Sequence, residues 1–116
     1  MAKRSAAIVG IAEWRPERVW SRPMFSLEAC AELAALGLAD AGIEKGEVDG
    51  LCIGGIYESP LFGPSAAAEY LGIRANFAET VDLGGATSAG MLWELSTKPH
   101  PKCVNFRYYL LDNVKP

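Results

Sequence analysis

Val81-Asp82-Leu83-Gly84-Gly85-Ala86-Thr87-Ser88-Ala89-Gly90-Met91-Leu92 runs from an apolar stretch into paired glycines, then small residues, then a helical pattern. This pattern predicts a strand delivered into the N-terminus of a buried helix, the place where α/β proteins often hold reactive groups. The turn carries no cysteine, histidine or other strong nucleophile. It therefore reads as an active-site scaffold without its attacking group.

The segments before it repeat the same alternation. Ala6 to Ile11 is a continuous apolar run, as expected of a strand covered on both faces. Arg15 to Pro23 reads as a loop. Ser26 is placed as an N-cap with Glu28 in the first turn. Leu27, Cys30, Ala31, Ala34, Leu38 and Ala41 then recur at helical spacing. Ala41-Gly42-Ile43 is a stop signal that puts glycine where a left-handed conformation is needed and folds Ile43 back on Leu38. Val48 to Gly55 reads as a second strand. Pro64 suits the first position of a second helix, weakly capped by Gly63. Ala66, Ala67, Tyr70 and Leu71 form its apolar face, and Gly72-Ile73 repeats the stop. Phe77 to Leu83 is read as a third strand and Ala86 to Leu95 as the start of a third helix.

Strand, helix, strand, helix, strand, helix predicts an α/β fold, a mostly parallel sheet with flanking helices and right-handed crossovers. The pattern lapses after Leu95. Ser96 to Lys102 is a breaker segment, and Val104 to Leu111 has a strand period in a different compositional style. Residues 1–95 are accordingly read as a partial domain and 96–116 as a divergent tail, the product of a truncation or frameshift.

Composition narrows the function. A chain of 116 residues, half hydrophobic and 22% charged, is one modest globular domain. A net charge of −3 and a pI of about 5.1 do not favour nucleic acid. Arg15, Arg18 and Arg22 are the only basic concentration, diluted by Glu13 and Glu17 and read as a solvated loop. No apolar run approaches the ~18 residues of a membrane span, and the strand-length run Ser5 to Ile11 leads into Glu13-Trp14-Arg15 rather than a cleavage site of small residues. A cytoplasmic protein is expected.

The three cysteines show no CxxC spacing, so neither a disulfide framework nor a metal site is predicted. Cys30 and Cys52 are read as buried small hydrophobes. Cys103 lies in the tail with no activating neighbour. Glu58, Glu69, Glu79 and Asp82 show no pair spacing for acid–base work; Asp82 is placed as a cap on backbone N–H groups. Trp14, Trp20 and Phe25 are read as loop aromatics over the open end of a core. Neither G-x-G-x-x-G nor a P-loop pattern occurs, which weighs against a nucleotide site.

Ala6 to Ile11, Ala39 to Ile43 with Val48 to Leu51, Ala66 to Gly72, and Val81 to Ala86 together resemble the N-terminal part of the thiolase superfamily. The likeness is to its sterol-carrier/lipid-transfer-type, acetyl-CoA acetyltransferase-like members, and covers about residues 5 to 95. The resemblance implies a layered α/β/α/β/α fold of two similar halves, of which this chain would supply most of the first only. It implies acyltransferase or carbon–carbon bond chemistry beside a coenzyme A thioester, in lipid metabolism, with acyl-CoA as substrate and no other cofactor.

In true thiolases a cysteine opening the helix after the third strand is acylated. By register from Val81, its equivalent here is Gly85. Glycine cannot be acylated. Thr87 and Ser88 are weak substitutes, since a hydroxyl needs an adjacent base and the turn has none. The second-half Gly-His-Pro and Cys-Gly segments are also missing, and His100-Pro101 does not replace them. The resemblance further implies a homodimer contact through Thr80, Val81, Asp82, Leu83, Gly84, Gly85, Ala86 and Met91. Glycines there would permit close backbone approach, or would simply make a tight turn. Two alternatives accompany this reading: a retro-aldolase-type subunit acting with an OB-fold, zinc-ribbon partner, and a non-catalytic interaction chain.

Overall fold

The computed structural model describes residues 7–18, 21–55, 61–97 and 103–106, the last by backbone alone. The elements are α1 (Ser26–Ala41), β1 (Gly50–Ile53), α2 (Gly63–Leu71), β2 (Phe77–Thr80), α3 (Thr87–Thr97) and β3 (Cys103–Phe106). Short 3-10 turns, Lys45–Glu47 and Gly84–Ala86, precede β1 and α3. The strands form one parallel sheet in the order β2-β1-β3. Leu51 pairs with Ala78 on one side and Val104 on the other. The result is a small α/β domain: a parallel sheet flanked by helices.

Both helix stops are as expected. Gly42 has φ 69° and Gly72 φ 72°, the left-handed conformation that costs glycine least. The N–H of Ile43 donates to Leu38 O at 3.0 Å, and that of Ile73 donates to Ala68 O at 2.9 Å. Each stop therefore turns an isoleucine back under its own helix. Ile73 is buried, and Ile43 is half-buried against the same core.

That core fills one side of β1. Leu51 and Ile53, two residues apart and so on one face, meet Cys30 and Ala34 of α1 and Ala67 and Leu71 of α2. Cys52 points to the opposite face and is fully buried there. Helix α3 contacts β1 and β3, and its Met91 is fully buried outside the α1/α2 cluster. All of β1 is buried, as a covered parallel strand should be.

The first expected strand is not one. Residues 7–11 pair with no strand among the described residues, and Ile8, Val9 and Ile11 are 65%, 59% and 71% exposed. The edge of β1 away from β2 is occupied by β3. Residues 7–12 lie instead along α1. The Ile11 N–H donates to Asp40 Oδ2 at 2.9 Å. A Cβ added to Gly10 would sit 2.5 Å from Gly37 O and 2.7 Å from Ala41 Cβ. Among the described residues the order is therefore helix first and strand last.

Other boundaries shift for local reasons. Ser26 is the first helical residue, and Phe25 takes the N-cap position. Glu28 Oε1 accepts a long 3.4 Å hydrogen bond from the Phe25 N–H. Phe62, not Gly63, caps α2. Tyr70 is exposed, leaving Ala67 and Leu71 as the buried residues of the predicted face. Strands β1 and β2 are shorter than Val48 to Gly55 and Phe77 to Leu83. Helix α3 runs past Leu95 through Thr97, where the Ser96 and Thr97 hydroxyls donate to carbonyls three residues back. The tail does supply a strand, at Cys103–Phe106; the rest of the Val104 to Leu111 reading lies outside the described residues.

In the first loop, Arg22 lies 5.8 Å from the Trp14 ring centroid and 3.0 Å from Glu32 on α1. Arg22 is thus tied to the helix, and Arg15, Arg18 and Arg22 are all exposed. Phe25 is exposed rather than covering the core. Trp20, Glu58 and His100 lie outside the described residues.

Candidate functional site

The strand-to-helix junction forms where the sequence places it. Beyond β2 the ladder continues for one bond, Val81 N–H to Ile53 O at 3.0 Å. The chain then turns through Leu83 into the 3-10 turn Gly84–Ala86 and directly into α3. Gly84 has φ 59°, so the turn needs a residue that tolerates a left-handed backbone. Asp82 accepts the Gly84 N–H through Oδ1 at a long 3.4 Å, a weak form of the expected cap.

Thr87 organises the turn. It is almost fully buried. Its hydroxyl accepts the Leu83 N–H at 2.9 Å and donates to Gly84 O at 2.8 Å. Its proton is held by a peptide carbonyl, which is no general base, so the hydroxyl stitches the turn rather than attacks. Ser88 is exposed one residue further on.

Gly85 and Gly90 differ in a way that matters for the site. A Cβ added at Gly85 meets nothing within 4 Å. The position would accept a side chain and lacks one. A Cβ at Gly90 would meet Leu83 Cδ1 at 2.5 Å and Val81 Cγ1 at 3.1 Å. Gly90 is small because the chain's own loop packs over it. That supports the tight-turn explanation for this glycine. Met91 is buried inside the chain, whereas Thr80, Asp82, Leu83, Gly84, Gly85 and Ala86 are exposed and Val81 is half-buried. The proposed contact stretch thus presents its first seven residues, without the Met91 side chain.

The junction's acidic neighbours are Glu79, half-buried, and Asp82, exposed. Among the described residues, no group of three or more His, Cys, Asp or Glu side chains is placed to hold a metal. No described helix is long and apolar enough to cross a membrane. Cys30 and Cys52 are buried, as expected.

Sequence reading missed a groove of about 610 Å³ between the C-terminal ends of α1 and α2. Ala34, Leu38, Ile43 and Leu71 line it, with Lys45 and Tyr70 also bordering it. The signal was available. Alanine-rich helix faces leave space between helices, and two identical stop motifs bring both helix ends to one place. Lys45 lies beside the end of α2, where a Cβ on Gly72 would be 3.2 Å from its Nζ. A cation there complements the negative end of the helix dipole.

Compared with family models, curated proteins and solved structures, the chain finds no match.

Proposed function

We propose that this chain is a thiolase-like acyl-CoA protein holding elements of the first half of the layered fold, with Gly85 in the seat of the acylated cysteine and no thiolase activity of its own. The observation that carries the reading is the open space at Gly85. It stands at the start of the helix after β2, it is exposed, and a side chain there would meet no obstacle within 4 Å. A thiolate in this seat would feel the positive end of the α3 dipole. Glycine supplies no thiolate, and Thr87 is committed to the turn.

The test is intact-protein mass spectrometry after incubation with acetoacetyl-CoA, on the natural chain and on Gly85→Cys. The natural chain should neither cleave the thioester nor gain mass. In the variant the introduced thiolate should attack the thioester carbonyl, expel coenzyme A and retain the acyl group. A folded Gly85→Cys protein that stays unmodified would overturn the register. An acyl group on Thr87 or Ser88 of the natural chain would overturn the inactive reading.

A second reading, a partner subunit or homodimer half, is favoured by the exposed apolar surface beside the junction. Leu83, Leu92 and Trp93 are all exposed, Trp93 by 70%. Large apolar side chains grouped near one helix are a common mark of an interface. On this reading the chain acts with a second copy, or with an OB-fold, zinc-ribbon protein in a retro-aldolase-type assembly. Sedimentation of the natural chain at several concentrations separates a self-associating protein from one that needs a different partner.

A further inference from the structure

We infer that residues 7–11 and Cys103–Phe106 are alternative occupants of one edge of β1. The handedness of the fold carries this. Helices α1 and α2 share a face of the sheet: they contact each other and meet in the cluster over Leu51 and Ile53. The unit β1–α2–β2 steps from β1 to β2 across that face. Parallel crossovers have one hand. A strand entering α1 from the N-terminal side and followed by β1 must step in the same direction. It therefore belongs next to β1 on the side away from β2. That is where β3 sits, paired Gly50 to Cys103 through Ile53 to Phe106. Helix α1 also contacts β3, so it already lies over that seat.

The segment that precedes α1 has the composition for the seat. Residues 7–11 are Ala-Ile-Val-Gly-Ile, rich in strand formers, and Ile8, Val9 and Ile11 face solvent. Moving into the sheet would bury them. Among the described residues, the segment is held outside by the Ile11–Asp40 hydrogen bond and the close packing of Gly10 on Gly37 and Ala41. The chain thus carries two strands for one edge, and β3 holds it in the state described.

Hydrogen exchange on the full-length chain, read at amides 7–11 and 103–106, tests the exchange. Gly10→Val places a side chain against backbone and Cβ atoms of α1 that cannot yield, yet suits a strand. Protection at 7–11 should rise by about 10-fold or more, and protection at 103–106 should fall by a similar factor. If 7–11 stays unprotected while 103–106 is unchanged, the segment has only left α1 and the inference is wrong. A second variant, Val104→Pro with Asn105→Pro, removes whichever of these adjacent N–H groups faces β1. It should leave Gly50–Ile53 protected, with 7–11 now protected beside it. Loss of protection in β1 with 7–11 still exposed overturns the proposal. So does unfolding of both variants, because a competing strand would fill the edge. Protection of 7–11 that grows with protein concentration would mean pairing between copies and would also overturn it.

Discussion

The two faces of the sheet are built differently. On the α1/α2 face, Leu51 and Ile53 are enclosed by side chains from two helices and by isoleucine and valine from the connecting turns. On the α3 face, Cys52 and Met91 are buried, but the helix carries Leu92 and Trp93 into solvent. Both helices that make the dense face end in a left-handed glycine and return an isoleucine to the core. Helix α3 has no such return among the described residues. A face becomes a core when the connections as well as the helices contribute to it. The candidate junction lies on the thinly covered side.

Substitutions on the two faces should separate them. Leu51→Ala, in the dense cluster, should have the largest effect, about 3–5 kcal/mol in urea unfolding, because the enclosed site cannot collapse around the cavity. A small domain has little stability to spare, so the variant should be largely unfolded at 37 °C. Met91→Ala, equally buried but on the α3 side, should cost less, roughly 2–3 kcal/mol, because one helix with an open flank can settle into the gap. Equal losses at the two positions, measured as unfolding midpoints, would erase the distinction between the faces.

Thr87→Val keeps the shape of the junction and removes its hydroxyl. It should cost about 1–2 kcal/mol, since the Leu83 N–H and Gly84 carbonyl lose their shared partner. Amide exchange at Leu83 should accelerate with it; unchanged exchange there would show that the turn does not depend on this side chain. The smallest effect is expected at Trp93→Lys. An exposed side chain with nothing over it should change stability by under about 0.5 kcal/mol in dilute protein. A large loss, or one that depends on protein concentration, would reveal that the α3 face is covered in solution.

Legibility follows distance along the chain. The stops at Gly42 and Gly72 are readable because each depends on residues within one helical turn. The buried β1 strand and the glycine turn before α3 are readable for the same reason. The Phe25 N-cap escapes sequence reading because serine is the usual capping residue, while here Ser26 is already helical and buried. Residues 7–11 mislead because an apolar run of strand length says only that a segment could pair. It does not say that another segment already holds the edge. At the candidate site, Gly85 and Gly90 look alike in sequence. Only the atoms around them show that one position is vacant and the other filled by Leu83 and Val81.

The order of residues along this chain was enough to set its helices, its turns and the alternation that makes it an α/β protein. Those depend on backbone preferences and side-chain periods over a few neighbours. Which strand lies beside β1, which glycine has room for a side chain and where the α1/α2 groove opens depend on segments brought together from across the chain. Parallel pairing of Leu51 with Val104 is such a case. It is a contest among distant segments for the same backbone hydrogen bonds, and only the folded arrangement shows which one holds them.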